Sequence, residues 1–168
     1  MNVNVVDTNV LVAANGLSSA SVECAAACAT RLRQVVELQE VAVDDAFRIL
    51  REYSANAHVN GRPGPGDFFL RWMLQNRKNA ARVLSVHITP RPGATEDYEE
   101  FPSHQDLVNF DPSDRKFAAV ANACQAEAIV LDATDSDWWD ARAGFEESGV
   151  PIEFVCPDEI DRWARDRG

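Results

Sequence analysis

The feature that most constrains the fold is a short apolar run, Val3–Val6, that stops abruptly at an acidic residue. The run is typical of a buried strand, and the polar triplet Asp7-Thr8-Asn9 follows it directly. In an open parallel α/β sheet, ligands bind at the carboxyl ends of the strands. Asp7 therefore lies either at such a ligand site or simply at the cap of the next helix, a position that acids commonly occupy.

Helix and strand patterns alternate after this run. Apolar residues recur at helical spacing over 22–38, beginning with Val22, and a short strand over 40–44 ends at the acidic pair Asp44-Asp45. A further helix is predicted over 46–53, with Phe47 among its inward residues. This alternation predicts a parallel sheet with right-handed crossovers.

The second half of the chain continues the pattern. The segment 60–66 contains two prolines and three glycines and predicts a loop. An amphipathic helix over 67–79, with Phe68 on its apolar side, and a strand over 83–88 follow. A long loop around 89–108 is either an insertion near the site or a flexible cover. The remaining elements are predicted over 128–131 (strand), 138–148 (helix), 152–155 (strand) and 157–165 (helix).

These elements predict one α/β domain over 1–168. With 168 residues, the chain is long enough for one compact domain and short for two. The expected architecture is a three-layer α/β/α sandwich with a central, mostly parallel, Rossmann-like sheet.

Further acids stand where the later elements begin or end. Asp111 and Pro112 predict a helix start, so Asp114 either favours the helix dipole from the first turn or belongs to a site. Asp135 and Asp137 follow the strand predicted over 128–131. Asp132 points to the same end of the sheet only if that strand continues through Ala133.

Carboxylates gathered at one sheet edge repel one another unless protons or cations neutralise them. Divalent hard cations with oxygen ligands are the usual resolution, and such an ion polarises a phosphate and lowers the pKa of an attacking water. Thr8 or Asn9 could orient that water or hold Asp7. The pattern therefore favours a Mg²⁺ or Mn²⁺ site.

The motifs together resemble the PIN domain, in order and spacing and over nearly the whole chain. They are Asp7-Thr8-Asn9, an acid on the helix after the second strand, the segment 111–117 with Asp114, and the segment 134–138 with Asp135. The second acid is interpreted as Glu52, with Asp45 as the alternative.

The resemblance implies a Mg²⁺- or Mn²⁺-dependent nuclease, most simply a single-strand endoribonuclease, with DNA as the substrate of flap-nuclease relatives. It implies an antitoxin partner if the protein is a toxin, and it leaves a homodimer open. The implied catalytic and metal-binding acids are Asp7, Glu52, Asp114 and Asp135, with Asp137 as a further ligand and Thr8, Asn9 and Thr134 in support.

Charge is unevenly distributed along the chain. The formal net charge is -11, which by itself argues against a nucleic-acid partner. However, 62–91 carries six basic residues and one acid, whereas 96–114 carries seven acids and no Lys or Arg. Arg71, Arg77 and Lys78 in this basic arm are predicted to contact phosphates. The alternative is that the arm is only a solvated face.

The remaining observations concern compartment and rival functions. Cys24, Cys28, Cys124 and Cys156 lack paired CxxC spacing, so buried thiols are expected and a zinc site is not. No signal peptide or membrane span is expected, and the cytoplasm is the expected location. The rivals are a PIN-like binding module with little catalysis and a phosphoaspartyl hydrolase, although Asn9 stands where such hydrolases have Asp.

Overall fold

A sheet of five parallel strands forms the centre of the fold in the computed structural model, which describes residues 2–58 and 63–167. The order across the sheet is β3-β2-β1-β4-β5. The predicted sheet is thus confirmed. The strands are β1 (Val3–Val6), β2 (Glu40–Asp44), β3 (Val83–Val86), β4 (Ala128–Asp132) and β5 (Ile152–Phe154).

Seven described helices cover the sheet and complete the three-layer α/β/α fold that the sequence predicts. Helix α5 packs on β1, β2 and β4, while α1, α2 and α4 pack against one another. Two short 3-10 turns, Gln105–Leu107 and Pro112–Asp114, precede α5. The helices are α1 (Thr8–Ala14), α2 (Val22–Leu38), α3 (Arg48–Asn56), α4 (Pro65–Asn76), α5 (Arg115–Ala123), α6 (Ser136–Glu147) and α7 (Pro157–Arg167).

The strand order reverses between β1 and β4. The chain moves from β1 to β2 and β3 on one side of the sheet and then returns to place β4 on the other side of β1. The carboxyl ends of β1 and β4 therefore border the crevice where open α/β sheets bind ligands.

Three apolar residues that were predicted to point inward are instead exposed: Val22, Phe47 and Phe68. Phe47 adopts a left-handed backbone conformation with φ 63° and precedes α3 instead of lying within it. The buried carboxylate of Asp44 explains this, since it accepts hydrogen bonds from the backbone N–H groups of Arg48 and Ile49 and starts the helix there.

Helix α4 begins earlier than predicted, at Pro65. Proline suits the first turn of a helix, where its missing N–H costs nothing. A Cβ added at Gly66 would lie 2.4 Å from the backbone oxygen of Leu11, so glycine permits the close approach of α1 and α4. Residues 60–62 of the predicted loop lie outside the described residues.

The long connection around 89–108 is a packed insertion. Tyr98, Phe101 and Leu107 are buried, and the ring of Phe101 stacks on that of Phe110. The side chains of Arg48 and Arg115 lie over the Tyr98 and Phe101 rings. Since its apolar residues belong to the core, the segment forms a wall beside the sheet edge.

The expectation of free thiols is wrong for two of the four cysteines. Cys24 on α2 and Cys156, just before α7, form a disulfide that spans 132 positions of the sequence. Cys28 and Cys124 are free, and burial raises the pKa of the Cys28 thiol to about 12. Sequence spacing could not indicate the pair, because the fold alone brings the distant residues together.

None of the helices within 2–58 and 63–167 is both long enough and apolar enough to cross a membrane.

Candidate metal centre

Three of the predicted acids converge at the point where the strand order reverses. Asp7 follows β1, Asp135 follows β4, and Asp114 ends the 3-10 turn that leads into α5. One carboxylate oxygen of each residue lies within 4.8 Å of the corresponding oxygen of the other two. The elements that supply them are distant in sequence, so their meeting is a product of the topology.

Both oxygens of Asp7 are held by neutral donors. Oδ1 accepts a hydrogen bond of 3.0 Å from the Asn9 backbone N–H, and Oδ2 accepts one of 2.6 Å from the indole Nε1–H of Trp138. The backbone N–H of Asp7 also donates to the Leu131 carbonyl of β4 at 3.0 Å. Asp7 is therefore both the helix cap and a member of the cluster, so the two interpretations of the sequence are compatible.

Asn9 joins the ends of β1 and β4. Its Nδ2 donates to Asp132 Oδ1 at 2.5 Å, and its Oδ1 accepts from the Ala133 backbone N–H at 3.0 Å. The other oxygen of Asp132 accepts from the Asp135 backbone N–H at 3.1 Å. The fully buried Asp132 thus fixes the backbone that carries Asp135, and it lies at this end because β4 extends to Asp132 itself.

The carboxylate of Asp114 faces Asp135 and is not used as a helix cap. Asp111 caps the 3-10 turn by accepting from the Ser113 backbone N–H at 3.0 Å. Asp114 makes no such capping bond to α5 and is only half-buried. Asp111 is therefore the cap at this helix start, as the sequence predicts.

The acids of the cluster have raised pKa values when no cation is bound. Burial and then the charges of Asp7 and Asp135 raise the pKa of Asp114 to about 8. Burial, followed by the charge of Asp132, raises the pKa of Asp7 well above its usual value, and burial raises the pKa values of Asp132 and Asp135. The site thus concentrates negative charge where little solvent can screen it.

Glu52 lies beside this cluster and forms an ion pair with a lysine. Its Oε1 accepts a hydrogen bond of 2.8 Å from the buried ammonium of Lys116, and its Oε2 accepts one from the Thr8 hydroxyl. Its charge also acts on Asp114. Glu52 is not among the three described acids whose oxygens meet within 4.8 Å. It supports the site from α3 and has Lys116 as its partner.

The alternative second acid, Asp45, lies elsewhere. It is in the turn before α3, where its Oδ2 is 2.9 Å from Nδ1 of His87, and its side chain is largely exposed. Glu52 accepts a hydrogen bond from Thr8, the residue next to Asp7. The structure therefore favours Glu52 over Asp45 as the acid that lies near the site.

Two predicted site residues lie at the margin. Asp137 is exposed, and its backbone N–H is the group that Asp135 Oδ1 caps at 2.9 Å, so it is outside the described three-acid cluster. Thr134 is half-buried in the turn after β4. Sequence reasoning missed Trp138 and Lys116 as site residues. Both stand inside the quoted motifs, but an apolar ring and a helix-start lysine gave no sign of their hydrogen bonds.

Two residues of the basic arm, Arg77 and Lys78, lie near the amino end of a strand. Arg77 ends α4 and Lys78 follows it, both exposed in the turn that leads into the amino end of β3. The acids stand at the carboxyl ends of the parallel strands, and a strand of four residues is about 13 Å long. The prediction that these two residues contact phosphates next to the scissile one stays a prediction, and their place before the amino end of β3 does not favour it. Arg71 lies exposed within α4.

A groove of mixed charge lies beside Glu52. The groove, of about 440 Å³, opens beside Glu52 and Lys116 and carries two arginines of α3. Arg48 is anchored by Asp44 at 3.2 Å, while the exposed Arg51 donates to the Ala46 carbonyl at 2.9 Å. The groove residues are Arg48, Arg51, Glu52, Pro90, Glu96, Asp97, Tyr98 and Lys116.

The three-acid cluster fits a hard divalent cation. Its donors are carboxylate oxygens, which Mg²⁺ and Mn²⁺ prefer. A bound cation would also offset the burial and the repulsion that raise these pKa values. Asp7, Asp114 and Asp135 would supply the ligands.

Comparisons with family models, with curated proteins and with solved structures found no match to this chain.

Proposed function

We propose that the protein is a Mg²⁺- or Mn²⁺-dependent nuclease that hydrolyses phosphodiester bonds in single-stranded RNA. The observation that carries the proposal is the convergence of Asp7, Asp114 and Asp135 at the switch point of a parallel sheet. Metal-assisted phosphodiester hydrolysis needs oxygen ligands at an accessible sheet edge. The choice of RNA follows the resemblance of the motifs to those of PIN nucleases.

Neighbouring residues hold the proposed metal ligands in position. Asp7, Asp114 and Asp135 would hold the ion, which would supply Lewis-acid chemistry by lowering the pKa of a water and stabilising charge on the phosphate. Trp138 and the Asn9 backbone fix the Asp7 carboxylate, and Asp132 fixes the turn that carries Asp135. Lys116 pairs with Glu52 and offsets part of its charge, so the repulsion between Glu52 and Asp114 is reduced but not removed.

The substrate's flanking phosphates are placed along the groove beside Glu52. Arg51 is exposed there, and the acids that share the wall are partly neutralised, since Asp97 pairs with Arg115 at 3.1 Å. An exposed cation that is not paired with an acid is the group that attracts a polyanion to so acidic a protein, and among the described residues Arg51 donates only to a backbone carbonyl. The groove therefore replaces Arg77 and Lys78 as the proposed phosphate contact.

A phosphoaspartyl mechanism is less compatible with this geometry. A nucleophilic Asp7 would need the acid-base carboxylate that such hydrolases carry two residues later, where this chain has Asn9. Asn9 is occupied in joining β1 and β4 and offers no carboxylate for acid-base chemistry. The toxin role, an antitoxin partner and a homodimer stay predictions from the resemblance.

The test is cleavage of a single-stranded RNA by the wild type and by Asp135→Asn. We expect cleavage that requires Mg²⁺ or Mn²⁺, stops with a chelator and falls at least about 100-fold in the variant, since a metal ligand is lost. A structured DNA flap in parallel decides between RNA and DNA. Equal activity in both proteins would refute the proposal, and RNA binding without cleavage would identify a binding module.

A further inference from the structure

A second cluster of metal-ligating side chains lies away from the carboxylates. Cys24 and Cys28 are one turn apart on the inner side of α2, and Cys156 stands just before α7. All three are buried, and their sulfurs lie within 4.8 Å of one another. The Cys24–Cys156 disulfide occupies two of them, and Sγ of Cys28 is 3.9 Å from Sγ of Cys156.

We propose that the reduced cluster of Cys24, Cys28 and Cys156 is a binding site for a thiophilic metal ion, Zn²⁺ or Cu⁺, and that the disulfide is its closed, metal-free form. Thiolate sulfur is the ligand that these two ions prefer, and Mg²⁺ does not compete for it. The cluster is therefore chemically distinct from the oxygen-donor site and does not depend on the proposed nuclease function.

The sulfur positions suit a metal. Zinc–sulfur bonds of about 2.3 Å in a tetrahedral site place neighbouring sulfurs roughly 3.8 Å apart. Cys28 and Cys156 already have this spacing, at 3.9 Å. The Cα atoms of Cys24 and Cys156 are 5.5 Å apart, so opening the disulfide leaves both thiols facing the same point.

Two acids near the cysteines favour a cation there. Hydrogen bonds between the starts of α2 and α7 also hold these two helices together. The carboxylates of Asp132 and Glu159 both act electrostatically on Cys28. Glu159 also accepts hydrogen bonds of 2.9 Å from the backbone N–H and the hydroxyl of Ser21. These bonds tie the start of α2 to the start of α7, so the cysteines stay together when the disulfide is open.

The redox step is balanced by a dithiol reductant. The Cys24–Cys156 bond takes up two electrons and two protons to give two thiols, while the dithiol is oxidised to a disulfide. Metal binding then displaces protons from the thiols to solvent. Sequence reasoning missed the site because the third ligand is 128 positions from Cys28.

The test compares metal binding by the reduced and oxidised full chain. A phosphine reduces the protein under argon, a thiol assay confirms four free thiols, and excess Mg²⁺ fills the carboxylate site. Zn²⁺ and Cu⁺ are then added separately against chromogenic chelators. We expect the reduced protein to bind one equivalent of at least one of them, and the oxidised protein to bind at least about tenfold more weakly.

Variants locate the site. Cys28→Ser keeps size and should weaken binding about tenfold or more, whereas Cys124→Ser, outside the cluster, should bind as the wild type does. Circular dichroism checks the fold, and Cys28→Ala replaces Cys28→Ser if the latter is unfolded. Failure of the reduced wild type to bind either ion, equal binding by the oxidised form, or undiminished binding by the folded Cys28 variant would each overturn the proposal.

Discussion

Asp7 shows how a single residue combines a structural and a chemical role. As the N-cap of α1 it satisfies the Asn9 backbone N–H, and as a cluster member it directs its carboxylate to the position shared with Asp114 and Asp135. The indole of Trp138 fixes its second oxygen. Because two donors hold it, substitution of Asp7 would disturb structure and chemistry together.

Asp114 separates these effects, since it makes no capping bond to α5. We predict that Asp114→Asn lowers metal-dependent cleavage by about 100-fold or more, because a charged ligand is lost. The same change should raise the free energy of unfolding of the metal-free protein at pH 7.5 by about 1 kcal/mol, because it removes a repelled, half-buried acid. Urea unfolding and an RNA cleavage assay measure the two quantities.

The matched control is Asp166→Asn, which removes the same charge from an exposed position of α7. It should leave both quantities nearly unchanged. If Asp114→Asn behaves like this control in cleavage, Asp114 is not a metal ligand.

The two candidate sets of phosphate-binding side chains lie on or next to different helices, α3 and α4. Arg51 on α3 lines the groove beside Glu52, whereas Arg77 and Lys78 follow α4 at the amino edge of the sheet. We predict that Arg51→Ala weakens RNA binding and makes the log-log salt slope shallower by roughly one unit for a lost phosphate contact. The double variant Arg77→Ala with Lys78→Ala should change neither. Filter binding at several salt concentrations measures this.

The reverse pattern, with a shallower slope only in the double variant, would return the phosphate contact to α4. Metal affinity should stay unchanged in both proteins, since neither surface supplies a carboxylate oxygen to the cluster.

The sequence predicted the elements well where local pattern and burial agree. The strand Val3–Val6 is fully buried, and helix α2 has the predicted bounds. Phe47 and Phe68 were misplaced because apolar character alone does not record where a cap starts a helix or which side a helix buries. The acids that follow β1 and β4 were identifiable because a polar break after an apolar run marks a strand end.

Long-range contacts were not predictable in the same way. The burial of Lys116 against Glu52, the Cys24–Cys156 disulfide and the position of the α4–β3 turn all depend on how distant segments meet. No local spacing encodes these meetings, so the sequence could not indicate which basic residues lie near the carboxylates.

At the scale of the whole molecule, the acidic cluster opposes folding when metal is absent. Asp114 has a pKa of about 8 when folded, and an unfolded Asp has a pKa of about 4. Between these values the unfolded chain binds fewer protons than the folded one, so the free energy of unfolding contributed by this group falls as pH rises. Below about pH 4 both states are protonated, and the penalty disappears.

We therefore predict that the free energy of unfolding of the metal-free protein falls as the pH rises from 5 to 8. The midpoint of urea unfolding at each pH measures this change. The loss should be smaller in Asp114→Asn and in the presence of saturating Mg²⁺, which stabilises the ionised cluster by binding the folded state. A pH dependence that is the same with and without Mg²⁺ would show that the ion does not bind these acids.

Asp7, Asp114 and Asp135 are proposed to form a site for a divalent cation. Electron paramagnetic resonance of Mn²⁺ measures this binding without depending on a nuclease assay. Free Mn²⁺ gives a sharp six-line signal that weakens on binding, so a titration at pH 7.5 counts the bound ions. The wild type should remove Mn²⁺ from solution with saturation, and Asp135→Asn should bind at least about tenfold more weakly. A wild-type titration that matches buffer alone, or equal binding by the variant, would contradict the claim.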